Sequence, residues 1–256
     1  MRQSVSGEEE PLSNFLGNAL DSMRRGAIDA ARRALPQRCE LCAGASGSEL
    51  LCRGCARSLP RLGRACPVCA LPTPSGEVCG QCLTHPPPFD ATIAAFAYAF
   101  PVDRLTHAFK YHGRVALAEW GAGAIRDERA RRTDTIAARL IALPLSPERQ
   151  RERGYNQAYE IARVLARDLR IPLFRGGVHR DRSAPPQAAL PWSERAKNVR
   201  GAFACELDLK GLTVAVIDDV MTTGASLAEL ARTLKRAGAM RVENWVVART
   251  LPPGAD

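Results

Sequence analysis

The sequence predicts an α/β protein, a mostly parallel sheet flanked by helices and preceded by a small cysteine-rich module. Three observations predict it. From residue 89 onward, short apolar runs alternate with longer segments of helical apolar period, the pattern of strands and helices taking turns in one sheet. Ahead of that point, eight of the nine cysteines stand in four Cys-x-x-Cys pairs. Near the other end, the apolar run 212–217 is followed by Asp218 and Asp219 and by a hydroxyl-rich turn, Thr222-Thr223-Gly224-Ala225-Ser226. A short Val- and Ile-rich run suits a strand covered on both faces of a parallel sheet. Sheets of this kind take ligands at the carboxyl ends of their strands, so the acids and the turn are expected at a binding edge.

Residues 1–12 form a polar tail, and residues 12–35 carry Leu16, Leu20, Met23, Ile28 and Leu35 at amphipathic spacing beside Arg32 and Arg33, which reads as a packed lead-in helix. The pairs Cys39/Cys42, Cys52/Cys55, Cys66/Cys69 and Cys79/Cys82 follow. Two intervening residues let one tight turn present both sulfurs to a single ion, and two such turns complete a tetrahedral zinc site. Eight thiolates therefore predict two structural zinc ions. Sequential pairing would give a double zinc ribbon, and an interleaved pairing stays open. Disulfides are the alternative; the opening carries Glu8, Glu9 and Glu10 rather than a basic and then apolar run, so the expected compartment is the reducing cytosol, with attachment to the inner face of a membrane left open. Cys205 reads as a small core residue. The module buries little core, so metal must supply its folding energy.

Pro86-Pro87-Pro88 marks a stiff linker, giving a tail and lead-in helix over 1–37, a zinc module over 38–85 and an α/β domain over 89–252. Within the last, strands are expected over 89–100, 138–143, 171–174, 212–217 and 242–248, and helices over 102–111, 115–132 and 155–169, with another after Ser226 carrying Leu227, Leu230 and Leu234 on one face. Residues 180–200 read as a long polar loop, and long ordered loops tend to be lids. No apolar run reaches transmembrane length.

The candidate site follows from charge and turn chemistry. N–H groups at a helix start, the hydroxyls of Thr222, Thr223 and Ser226 and the helix dipole all favour an anion, while Gly224 and Ala225 keep the turn small, so the segment reads as a sugar-phosphate site. Arg149, Arg151 and Arg153 follow the strand over 138–143, and Gly154 after them suits an unusual backbone conformation. Asn156 and Gln157 are helix-start donors. Lys110, His112 and Arg114, assigned to a strand-end segment, add a positive rim. The net charge of +9 and pI near 9.4 come mostly from arginine, which grips phosphate bidentately and favours phosphate-bearing partners. Single-stranded DNA is one such partner; few aromatics accompany the charge, so no base-stacking platform is evident.

The order strand, Asp-Asp, two residues, TTGAS resembles the phosphoribosyl-pyrophosphate (PRPP) loop of the type I phosphoribosyltransferases. That resemblance implies that Asp218 and Asp219 hold the ribose hydroxyls, residues 222–226 cradle the 5′-phosphate and Mg²⁺ accompanies PRPP. It further implies that the arginine segment is the pyrophosphate loop with Arg153 toward the leaving group, and that residues 180–203 form a hood, with Gln187, Arg195, Asn198 and Arg200 touching the ligand. Together with ALPQRCELC, CPVC, FKYHGR, ALPLSPERQRERGYNQA and PQAALPWSERAKNVRGAF, the motif VIDDVMTTGAS is similar to the ComF family of bacterial competence proteins over nearly the whole chain from residue 20. The resemblance implies a role in natural transformation, a competence-machinery protein as partner, and a phosphoribosyltransferase whose acceptor is open or a non-catalytic PRPP sensor or adaptor.

Overall fold

The computed structural model describes Leu35 and residues 37–132, 137–180 and 200–252. The lead-in helix expected over 12–35 and the candidate hood residues Gln187, Arg195 and Asn198 lie outside the described residues. The chain divides into two compact units, Met1–Arg57 and Ser58–Asp256.

In the first unit, β1 (Gln37–Arg38) pairs antiparallel with β2 (Ala45–Gly47), and the short helix α1 (Arg53–Arg57) follows. The turn between the strands is closed by Cys39 N–H donating to Gly44 O at 2.8 Å and Ala43 N–H donating to Cys39 O at 2.9 Å, with Ala43 left-handed at φ 57°. The second unit opens on the same turn: Cys66 N–H donates to Leu71 O at 2.8 Å, Ala70 N–H to Cys66 O at 2.9 Å, and Ala70 also has φ 57°. A Cys-x-x-Cys-Ala segment thus repeats its backbone as well as its sequence, once in each unit. Helix α2 (Gly80–Thr84) starts directly after Cys79.

The second ribbon is built into the rest of its unit. Thr92 N–H donates to Pro67 O at 3.0 Å and Ala97 N–H to Pro60 O at 2.8 Å, binding this ribbon to strand β3 (Ala91–Ala97). The linker reading of residues 86–88 therefore needs correcting, because backbone hydrogen bonds hold the ribbon against the edge strand that those prolines were expected to space it from.

The main sheet has the order β3-β9-β8-β4-β5 and is parallel throughout, with β4 (Arg139–Ala142), β5 (Leu173–Phe174), β8 (Thr213–Met221) and β9 (Arg241–Arg249). Between them lie α3 (Val102–Tyr111), α4 (Leu117–Ala130), α5 (Pro147–Arg153), α6 (Gln157–Leu169) and α7 (Ala225–Arg236); β6 (Val178–Arg180) and β7 (Phe203–Cys205) form a separate antiparallel pair. Central strands β8 and β9 are buried along nearly their whole length, as their apolar composition requires. On one face Leu227, Leu230 and Leu234 of α7 pack with Val214, Val216, Val242 and Val246; full burial is worth about 1.5–3 kcal/mol for each leucine. Helix α4 approaches the opposite face at Gly121, where a Cβ would lie 2.9 Å from Val247 Cγ2 and 3.6 Å from the Ile161 side chain.

Two differences from the sequence expectation bear on the site. Strand β8 does not stop at Ile217 but runs through both acids to Met221, because β9 continues alongside it and pairs Asp218 with Val246 and Val220 with Ala248. The arginine segment is not an open loop but helix α5. Ser146 caps its start by accepting from Arg149 N–H at 3.4 Å, Pro147 occupies the first turn, and Gly154 ends it at φ 76°.

Candidate functional site

The carboxyl ends of β4 and β8 open into a cleft of about 200 Å³ lined by Lys110, Leu143, Pro144, Leu145, Arg149, Arg153, Arg180, Asp218, Asp219, Val220, Thr222 and Ser226. The fold thus gathers residues from α3, α5, β6, β8 and the turn before α7. Among the expected site residues, Arg151 stays outside, its side chain exposed and 3.8 Å from Glu148. His112 and Arg114 do not line the cleft either. Lys110 does, but from the last turn of α3 rather than from a strand end.

The acids are oriented by their own strand. Asp218 Oδ1 accepts from Asp219 N–H at 2.8 Å, and Asp219 Oδ1 accepts from Val220 N–H at 2.8 Å. The other Asp219 oxygen, Oδ2, sits 3.0 Å from Lys110 Nζ. Burial, then the charge of Asp219, push the Asp218 carboxyl up to about 8 against the pull of Lys110. Burial alone would lower the Lys110 ammonium; Asp219, with Asp218 behind it, reverses this and raises it.

Facing the acids are three guanidinium groups. Arg153 donates to Gln157 Oε1 at 3.0 Å and lies 5.4 Å from the Tyr111 ring centroid, while Tyr155 donates its hydroxyl to Phe109 O, so the end of α3 and the junction between α5 and α6 hold each other. Asn156 caps α6 by accepting from Tyr159 N–H at 3.3 Å and fixes it to β4 by donating to Leu143 O at 3.0 Å. Arg180 was missed in the sequence, where it opened a polar loop; its pairing opposite Phe203 turns it into a strand end, and its guanidinium lies 5.6 Å from that ring. Burial and the neighbouring Arg149 charge both work against its protonation, and the Nε atoms of Arg153 and Arg180 are buried without a hydrogen-bond partner among the described residues. An anion placed between these arginines relieves both conditions.

Across from the arginines is the hydroxyl turn. Thr223 Oγ1 accepts from Ala225 N–H at 3.2 Å, and Gly224 is the left-handed N-cap of α7 at φ 80°, ψ 2°. Any side chain there would be strained, and a Cβ would lie 2.5 Å from Met221 Cε. The first-turn N–H groups of α7 and its dipole are of the kind that favours an anion at a helix start.

The cysteines resolve the pairing. Cys39, Cys42, Cys52 and Cys55 form one group and Cys66, Cys69, Cys79 and Cys82 the other, with the four sulfurs of each group within 4.8 Å of one another. The interleaved arrangement is thereby set aside. Zinc–sulfur bonds of about 2.3 Å place tetrahedral sulfurs about 3.8 Å apart; Cys42 and Cys52 are separated by 3.8 Å, and Cys69 and Cys79 by 3.6 Å. Both groups fit a structural zinc ion. Burial would raise the Cys39 thiol, yet the N–H groups of Cys42, Cys52 and Leu41 bring it down to about 6, while burial and the proximity of Cys69 drive Cys82 well up. A dication is what allows four such thiolates to coexist.

A parallel sheet with an acid pair and hydroxyl turn at the end of a central strand, in one chain with two four-cysteine groups, defines an α/β protein carrying zinc ribbons. A family model described as a double zinc ribbon domain matches residues 30–83. DNA utilization protein YhgH of Shigella flexneri is 35% identical over 85% of this chain and 99% of its own length, and competence protein F of Haemophilus influenzae is 31% identical over 67% of this chain and 78% of its own. The chain belongs to the family of these two proteins, the ComF family. Similar solved structures include the purine phosphoribosyltransferase from Pyrococcus horikoshii, at TM-score 0.30 and 18% identity over 62% of this chain and 87% of that one. Another is the glutamine PRPP amidotransferase from B. subtilis, at TM-score 0.34 and 19% identity over 50% of this chain and 26% of that one. No helix among the described residues is long and apolar enough to cross a membrane.

Proposed function

We propose that this protein binds PRPP at the carboxyl edge of its sheet, and that it does so on the cytoplasmic side in the service of DNA uptake and use, in keeping with relatives named as DNA utilization and competence proteins. The observation that carries the reading is one cleft lined together by Asp218 and Asp219, by Thr222 and Ser226 of the hydroxyl turn, and by Arg149, Arg153 and Arg180. In this reading residues 222–226 take the 5′-phosphate, Asp218 and Asp219 accept from the ribose hydroxyls, and the arginines neutralise the pyrophosphate. Asp219 is already paired with Lys110, so the two carboxylates do not form a metal cage of their own. Mg²⁺ would enter with PRPP and supply charge neutralisation for the leaving group. The same cations serve transfer at ribose C1′, where departure of pyrophosphate leaves an oxocarbenium-like centre.

Calorimetry tests the binding step: wild-type protein with Mg²⁺ takes up PRPP, and the double variant Asp218→Asn, Asp219→Asn loses it while keeping its thermal unfolding transition. Unchanged affinity refutes the ribose assignment. Pyrophosphate release separates the two forms of the reading, since turnover marks a transferase and tight binding without release marks a PRPP-responsive adaptor. The domain division follows the same reading, with zinc ribbons over 38–85 engaging single-stranded DNA or a competence-machinery protein and the transferase-like domain over 89–252 holding PRPP. Arg53, Arg57, Arg61 and Arg64 are exposed on the ribbons. Changing them to alanine should reduce the salt dependence of single-stranded DNA affinity by roughly 0.7 of a log unit per log unit of salt for each phosphate that is no longer neutralised. An unchanged slope removes DNA from the ribbons.

A further inference from the structure

We propose that Arg249 is a positioning residue for the anion cradle, anchored on the zinc-loaded second ribbon, so that zinc at Cys66, Cys69, Cys79 and Cys82 and anion binding at residues 222–226 are thermodynamically linked. The proposal rests on the reading of that turn as a phosphate site. Arg249 ends β9, opposite Met221 at the end of β8, and is 4% exposed. It does not line the cleft. Its Nε donates to Cys69 O at 2.9 Å, on the ribbon side; its Nη1 donates to Met221 O at 3.1 Å, to Thr250 O at 2.7 Å and to Thr222 O.

The carbonyls of Met221 and Thr222 carry the argument. In a regular strand successive carbonyls point to opposite sides, yet these two converge on one Nη1. Because a trans peptide is planar with its N–H opposed to its C=O, the N–H groups of Thr222 and Thr223 are both turned away from Arg249. Successive N–H groups on one side make an anion-binding concavity, and Thr222 lines the cleft. Arg249 thus holds the peptide orientation that starts the cradle.

Its own charge has to be held in turn. All its described hydrogen-bond partners are carbonyls, and one of them belongs to a cysteine of the second four-cysteine group. Four thiolates on one Zn²⁺ carry a net charge of minus two, the counter-charge a buried guanidinium needs. Zinc fixes the turn that carries Cys69, so its loss frees the carbonyl on which Arg249 Nε is anchored. Lysine cannot replace it, since one ammonium on a flexible stem does not span Cys69 O and the two carbonyls at the end of β8 as a rigid fork does.

Ribose 5-phosphate is the probe. Arg249→Lys, with two zinc ions still bound, should lose roughly tenfold in ribose 5-phosphate affinity by calorimetry, and a buried charge retained without the fork should not rescue it. Equal affinity in the two proteins overturns the proposal alone; no binding by the wild type overturns the phosphate reading and the proposal with it. A second measurement needs no variant. In wild-type protein, saturating ribose 5-phosphate should slow the chelator-driven loss of one of the two zinc ions by roughly fivefold or more and leave the other unchanged, since linkage is reciprocal. Identical release of both ions with and without the sugar phosphate overturns the linkage.

Discussion

Asp218 is a carboxyl group held against its own ionisation. Burial and Asp219 raise it to about 8, although Lys110 and the Asp219 N–H pull the other way. The raised value fixes the sign of its contribution to stability. The folded protein retains the Asp218 proton that the unfolded chain releases near pH 4, so its contribution is fully present below that value and is lost as pH rises toward 8. Asp218→Asn removes the titration. In thermal melts the variant should gain on the wild type progressively from pH 6 to pH 8 and no further above that, by about 2–4 °C for each kcal/mol relieved. A difference independent of pH would mean that Asp218 is ionised at no cost. The direction matters for the PRPP reading, since a ribose that donates its hydroxyls to the pair, with cations arriving beside it, would favour the charged form that burial disfavours.

At the scale of elements, α4 offers two glycines with opposite expectations. Gly121→Ala puts a Cβ 2.9 Å from Val247 Cγ2, a short branched side chain buried in the sheet, whereas Gly123→Ala meets only Arg126 Nη2 at 3.8 Å. Overpacking costs about 1–3 kcal/mol and alanine regains about 1 kcal/mol of helix propensity. Gly121→Ala should therefore lower the denaturation midpoint and Gly123→Ala should raise it, and two shifts of the same sign would contradict the close approach of α4. Such elements were legible where local pattern and tertiary packing agree: α3 was expected over 102–111 and runs Val102–Tyr111, and the order of strand, acids, turn and helix was read although the strand continues past 217 to Met221. Helix α5 was not, because an arginine run has no apolar face to give a period; its signal was the Ser146-Pro147 cap and the Gly154 stop. Arg180 and Arg249 were hidden for a different reason. Each acts through a partner far along the chain, Arg180 beside Phe203 and Arg249 on Cys69 O, and no local window holds both ends of such a pair.

The molecule carries the same ribbon turn twice but uses its two copies differently. Metal analysis should find two zinc ions per chain. Cys39→Ser with Cys42→Ser should leave one and keep the unfolding transition of the second unit, whereas Cys66→Ser with Cys69→Ser should also lower that transition, since Ala70 and Val68 pack into its core and Cys69 O receives Arg249. Equal effects of the two pairs would deny the second ribbon its structural place. The sheet order has a consequence of another kind. Among the described strands, β3 has β9 as its one neighbour in the sheet, and Asn244 Nδ2 reaches Thr92 Oγ1 at 3.3 Å across 152 residues of chain. During synthesis the edge strand and the ribbon bonded to it therefore wait, unpaired, until β9 has left the ribosome, while β4 and β8 can already pair. For that interval the β9-facing edge of an apolar strand, ATIAAFA, is open to any passing edge, and the nascent chain is vulnerable there until β9 arrives.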